Sequence, residues 1–223
     1  MKKENTVVKE IPENKISVAE NLFLEDFQKT ESLEELNSKI CNCQNCALGK
    51  TRTKFVFGVG NPNADAMLIG EAPGANEDRE GIPFCGMSGQ VLNELLASVN
   101  LSREDIFITN TILCRPENNR NPAKEEVENC RDRLDKLIQI MQPKVIVTIG
   151  NFATERVLGK KGITSIRGKV FEKDGRKIIP VIHPANYLYS GRNPEMFLQM
   201  KKDFEMIAAV AKENQKEKRL SDF

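Results

Sequence analysis

The chain has 223 residues with 39% hydrophobic content, enough for one domain with a sizeable core. Lys and Arg total 33 against 32 Asp and Glu, a balance of +1, which excludes a globally basic surface and confines any nucleic-acid contact to a local patch. No apolar run approaches the about 20 residues that span a bilayer, and no apolar stretch follows the charged start Met1-Lys2-Lys3, so neither membrane anchor nor secretory signal is expected. The expected compartment is the cytoplasm, where the six cysteines read as metal ligands or free thiols rather than a disulfide framework.

Residues 1–30 are polar with scattered apolar positions (Ile16, Val18, Leu22, Leu24, Phe27), which reads as a loosely attached, partly helical or disordered extension. The main domain is expected over 31–223. Ser32 and Glu35 form a capping-box pattern ahead of a short helix with Leu33, Leu36 and Ile40 on one face. That helix delivers the chain to Cys41-Asn42-Cys43-Gln44-Asn45-Cys46. Beyond it, strand and helix alternate. Strands are expected at Ala66–Ile69, Ile106–Thr109, Val145–Ile149 and Lys177–Ile182. Helices are expected from Ser88 to about Val99, from Lys124 to Met141, from Asn151, and from Pro194 to about Lys212, with a fraying tail beyond. This alternation predicts an α/β fold in three α/β/α layers around a mainly parallel, four-stranded central sheet.

Open parallel sheets bind ligands beyond the carboxyl ends of their strands. The unusual polar residues sit at those ends: Gly70-Glu71-Ala72-Pro73-Gly74, Asn110, Gly150-Asn151 and His183-Pro184, in strand order. Four strands thus deliver their chemistry to one edge, as an active site requires. The glycine-containing loop lets backbone N–H groups face a ligand, but it lacks the G-x-G-x-x-G fingerprint and is followed by a polar stretch, Ala75–Glu80. Phe84 has the residue type of either a core ring or a stacking platform for a planar ligand. Cys43 and Cys46 form a C-x-x-C pair, with Cys114 and Cys130 far downstream. Four such thiolates could bind zinc or an iron–sulfur cluster, with Cys41 able to replace Cys43 and Cys85 left spare.

Together these pieces resemble the iron–sulfur class of uracil-DNA glycosylase, family four. The matching residues are Gly70–Gly74 with Glu77-Asp78; Gly81-Ile82-Pro83-Phe84-Cys85-Gly86-Met87-Ser88-Gly89; Thr109-Asn110; Cys114-Arg115-Pro116; Asn119-Arg120; Cys130; Arg167-Gly168-Lys169; and His183-Pro184-Ala185. The resemblance runs from about Cys43 to the last helix, in order and spacing; the first forty residues lie outside it.

The resemblance implies a repair enzyme that flips a uracil nucleotide out of DNA, single- or double-stranded, hydrolyses its N-glycosidic bond, and leaves an abasic site. It implies Phe84 stacking on uracil, the Asn110 amide pairing with the uracil edge, and backbone near Glu71 and Ala72 lining the pocket. Glu77 would fill the place of a thymine methyl. His183, the one histidine of the chain, would stabilise charge developing on uracil O2. Where better-known members of the superfamily carry a water-positioning aspartate, this chain has Ala72, leaving backbone groups or a nearby side chain such as Glu71 or Asn110 to hold water. Tyr187 or Leu188 would fill the gap left by the flipped base, while Arg115, Arg120, Arg167 and Lys169 would contact phosphates. Cys43, Cys46, Cys114 and Cys130 would hold a structural [4Fe–4S] cluster, and one active site per asymmetric lesion makes a monomer the default.

Three rivals stand against this reading. A relative that grips uracil-DNA covalently needs a further histidine before Arg167-Gly168-Lys169, and Gly159–Ile166 contains none. A non-catalytic, zinc- or cluster-stapled module would bind damaged or single-stranded DNA and leave the base attached. A nucleotide-binding enzyme lacks its phosphate-binding fingerprint here.

Overall fold

The computed structural model describes residues 27–221, with side chains to 211. In chain order its first elements are α1 (Leu33–Ile40), α2 (Leu48–Thr51), β1 (Val59–Gly60), β2 (Ala66–Gly70), α3 (Ala75–Glu80), α4 (Met87–Ala97), β3 (Ile106–Asn110) and α5 (Lys124–Met141). There follow β4 (Val145–Ile149), α6 (Gly150–Leu158), α7 (Ile163–Ile166), β5 (Phe171–Lys173), β6 (Arg176–Val181), α8 (Ala185–Tyr189) and α9 (Pro194–Ser221).

Uninterrupted apolar runs make strands buried on both faces, and every residue of β2, β3 and β4 is buried. These strands and β6 form the mainly parallel centre of the sheet that the sequence predicts, and the structure sets their order as β3-β2-β4-β6. Two short antiparallel edge strands, β1 on β3 and β5 on β6, bring the sheet to six strands rather than four. Neither edge carries the apolar run that marks a strand: β1 ends on Gly60, and β5 reads Phe171-Glu172-Lys173.

The pleat sorts side chains onto two faces. Leu68, Ile108, Val147 and Ile179, neighbours in register, pack with Leu92 and Leu96 of α4 and Phe204 of α9. Met67, Ile69, Phe107, Ile146 and Ile178 pack on the other face with Leu36 of α1, Leu137 of α5 and Val157 of α6. Each such side chain contributes about 1.5–3 kcal/mol from burial before its ordering cost. The three-layer architecture follows.

The Ser32 hydroxyl accepts from the Glu35 N–H at 3.1 Å and caps α1, while the Glu35 carboxylate accepts from the N–H of Glu31 at 3.3 Å. The extension assigned to 1–30 lies largely outside the described residues; its end packs down, with Phe27 and Thr30 buried and the Gln28 carbonyl accepting from Lys136 Nζ at 2.7 Å. Ala75–Glu80, the polar stretch to which the sequence assigns no element, is the helix α3. The last helix continues past Lys212 to Ser221.

The chain leaves β2 for β3 through α4 on one face and leaves β4 for β6 through α6 on the other. A crevice opens where such connections diverge, beyond the carboxyl ends of β2 and β4.

Candidate active site

A cavity of about 540 Å³ occupies that crevice, and Glu71, Ala72, Glu77, Phe84, Asn110 and His183 all line it. Gly74, Ser88, Arg120, Gly150, Asn151 and Tyr189 complete much of the wall.

Gly70, opposite Asn110 in the register, explains the first motif. A Cβ there would meet the Phe84 ring at 2.7 and 2.8 Å and collide with Asn110 Oδ1. Glycine is needed because two side chains fold over the strand end. Phe84 adopts a left-handed conformation, φ 51°, uncommon for an aromatic residue, and is 6% exposed. It stacks on His183, ring centres 5.7 Å apart at 29°. The Glu77 carboxylate accepts from the N–H groups of Gly74 (3.1 Å) and Gly86 (2.9 Å), tying together the loops on either side of α3. Beyond the strand ends, the Glu71 carbonyl accepts from Ile112 N–H at 3.2 Å and from the Thr111 hydroxyl, while burial raises the pKa of the Glu71 carboxyl.

His183 Nδ1 accepts from the Ala185 N–H at 3.1 Å. An acceptor nitrogen carries no proton, so the neutral ring holds its proton on Nε2. Burial lowers its pKa to about 4, with Glu77 pulling slightly the other way. At neutral pH the side chain is therefore a neutral N–H donor of fixed tautomer.

Cys46, Cys114 and Cys130 share a small packed cluster with Leu48 and Ile112, and Cys43 is close enough to perturb both Cys114 and Cys130 electrostatically. Burial pushes Cys114 up to about 12 and raises Cys130. Thiols so desolvated ionise only beside strong positive charge, which suits them to a soft metal centre. Among the described residues no three Cys, His, Asp or Glu side chains converge as the ligands of a single metal ion do. In a four-cysteine iron–sulfur cluster the thiolates instead surround a multi-metal core, so the donor set fits a cluster in its chemistry. Cys41 turns away, its thiol donating to the Ser38 carbonyl at 3.5 Å, and Cys85, partly buried, follows Phe84 in the chain.

The basic residues expected at DNA are only partly free. Arg120 lines the cavity but makes two bonds to the buried Glu126, at 2.6 and 2.8 Å. Arg115 donates to Asn119 at 2.7 Å. Arg167 pairs with the buried Asp203 at 2.9 Å and donates to the Gln199 carbonyl, which draws it into α9, whereas Lys169 is exposed. Tyr187 packs on Phe197 at 5.4 Å and under Arg192, and Leu188 sits against the core. Tyr189, 86% exposed, lies on the cavity wall beside the exposed Asn186 and is the aromatic side chain of α8 that reaches outward.

Sequence reasoning missed three residues. Tyr189 was within view, adjacent to the two residues named. Arg52 donates to Cys114 Sγ (3.2 Å) and to the carbonyls of Cys43 (2.5 Å) and Cys41 (2.9 Å); Arg103 donates to the Pro83 carbonyl (3.1 Å) and to that of Phe84. Both arginines act across long separations that no local pattern announces.

Residues 57–205 match the model of the uracil DNA glycosylase superfamily. Similar proteins include a type-4 uracil-DNA glycosylase of Archaeoglobus fulgidus, 41% identical over 83% of this chain and 96% of the relative. Those of Sulfurisphaera tokodaii (40% identical; 81% of this chain, 86% of the relative) and Saccharolobus solfataricus (39%; 79% and 85%) carry the same name. With the motifs after β2, β3 and β6 assembled about one cavity and similarity along most of its length, the chain belongs to the uracil-DNA glycosylase superfamily, among the type-4 enzymes.

Proposed function

We propose that this protein hydrolyses the N-glycosidic bond of uracil in DNA, releasing free uracil and leaving an abasic site. The observation that carries this reading is the neutral His183 donor facing the same cavity as Phe84 and Asn110.

A base stacked in a duplex is out of reach, so the nucleotide must swing into the cavity. Phe84 stacks on the uracil plane, and the Asn110 amide, with one donor and one acceptor side, pairs with the N3–H and carbonyl edge. As the bond to the sugar breaks, the electron pair passes to uracil and negative charge collects on O2. His183 Nε2–H meets that charge without giving up its proton. A pre-oriented donor of this kind lowers the barrier by about 3 kcal/mol in a water-poor site. Glu77, anchored by two backbone N–H groups, is a rigid obstacle where thymine carries its methyl. Water reaches the sugar from the side of Glu71, whose raised pKa leaves its carboxyl readier to accept a proton than an ordinary glutamate.

Tyr189 is the better-supported wedge for the space the base vacates, since Tyr187 and Leu188 are committed to packing. Lys169 and the exposed part of Arg120 serve the phosphates; Arg167 orients the Lys169 loop through Asp203, and Glu126 holds Arg120. Cys43, Cys46, Cys114 and Cys130 would hold a [4Fe–4S] cluster, which supplies a structural staple between distant segments rather than chemistry at the sugar. The partner is uracil-containing DNA of either strandedness, acted on by a monomer in the cytoplasm. No described helix is long and apolar enough to cross a membrane.

Labelled oligonucleotides carrying uracil or thymine test the reading on a denaturing gel. Alkali-labile breaks at uracil alone support it. DNA retention without breaks favours a binding module, and a persistent protein–DNA adduct favours a covalent relative.

A further inference from the structure

Phe84 holds an uncommon backbone conformation, and three contacts account for it. Gly89, in the first turn of α4, lies so close to the Phe84 carbonyl that any Cβ there would collide with it. Gly70 leaves room for the ring. From the turn before β3, Arg103 sends its guanidinium under the loop: Nη1 donates to the Pro83 carbonyl at 3.1 Å and Nη2 to the Phe84 carbonyl. Its Nε donates to Asn93 Oδ1 of α4 at 2.8 Å.

We propose that Arg103 is a positioning residue for the Phe84 stacking platform, clamping two successive carbonyls so that the ring stays in its left-handed seat above Gly70 and beside His183. This rests on the reading of Phe84 as the surface on which uracil stacks. A planar arginine fork suits the task, because two carbonyls held by one rigid group cannot rotate independently. The clamp also belongs to the segment leading directly into β3, which ends at Asn110. One stretch of chain, 103–110, thereby supports both the face and the edge of the base-recognition site.

Loss of the clamp leaves the ring buried but free to tilt, and misplacement of a binding group costs activity steeply. The test is a double-mutant cycle of Arg103→Met and Phe84→Ala, read by inhibition with free uracil, by single-turnover excision, and by melting temperature. Arg103→Met is expected to weaken inhibition by uracil about tenfold, a loss of orientation rather than of the whole site. Arg103→Lys, which keeps the charge but bonds one carbonyl at a time, should recover part of it. In the Phe84→Ala background, Arg103→Met should add nothing further.

An equal loss with and without the Phe84 ring would overturn the clamp and make Arg103 a general structural residue. Unchanged uracil inhibition in Arg103→Met would do the same. If Phe84→Ala alone leaves uracil inhibition unchanged, the platform itself falls and the clamp with it. Should Arg103→Met fail to fold, the same cycle with Arg103→Lys must show a smaller, Phe84-dependent loss; a Phe84-independent loss overturns the proposal.

Discussion

The imidazole of His183 lies against the ring of Phe84, with centres 5.7 Å apart and planes 29° from parallel. One face of the imidazole is thus covered, and its Nδ1 is engaged by the Ala185 N–H. What remains free is Nε2. The stacking residue and the charge-stabilising residue support each other, so disturbing either ring should affect both base binding and bond cleavage.

Titration of His183 by NMR tests this arrangement without assignment ambiguity, since the chain has no other histidine. The expected midpoint is about 4, with the Nε2–H tautomer above it. Its folded pKa lies below the ordinary value, so the associated stability is present above about pH 6.5 and is lost as pH falls through about 4. A midpoint near 6.5 would remove the buried, neutral donor from the mechanism.

Asp203 has the opposite sign. Burial raises its carboxyl to about 6 despite the neighbouring Arg167, so its contribution is present below about pH 4 and lost as pH rises through about 6. The two groups oppose each other across the same window. In Asp203→Asn, the melting temperature should therefore fall more steeply on acidification from pH 6.5 to 4 than in the unaltered protein. Parallel profiles would show that Asp203 does not titrate there.

Tyr189→Ala should reduce excision from duplex DNA about tenfold while leaving single-stranded DNA nearly unaffected, because only a duplex leaves a stacked gap to fill. Tyr187→Ala should instead lower thermal stability through loss of its packing on Phe197. Equal losses on both substrates in Tyr189→Ala would argue against a wedge.

Cys114→Ser should lose most of the bound iron and visible absorbance of anaerobically purified protein, and should melt lower because a staple is gone. Cys41→Ser should keep both, since its thiol faces Ser38. Full iron in Cys114→Ser, or its loss in Cys41→Ser, would reassign the ligands.

Much of this was legible from residue order. Val145–Ile149 reads as a buried strand because every residue is apolar or β-branched, and the structure buries all five. Lys124–Met141 matches its expected bounds, and the structure ends it with Ala123 extended before it and Gln142 left-handed after it. Elements held by context were not. Helix α3 has no apolar face, and α3 owes its seat to Glu77 reaching Gly74 and Gly86. Edge strands β1 and β5 gain their form from a neighbour rather than from their own composition. At the site, Gly70, Asn110 and His183 were visible as polar residues after apolar runs. Choosing Tyr189 over Tyr187 required knowing which side of α8 meets Phe197, and Arg103 required a contact made nineteen residues away.

The central claim, uracil excision driven by a neutral His183 donor, is tested most directly by single-turnover release of free uracil from a labelled oligonucleotide. The unaltered protein and His183→Ala should be compared, with DNA affinity measured in parallel. The account predicts release by the unaltered protein and a rate about 10²–10³-fold lower in His183→Ala, at nearly unchanged DNA affinity. No uracil release by the unaltered protein, or equal rates in the two, would contradict it.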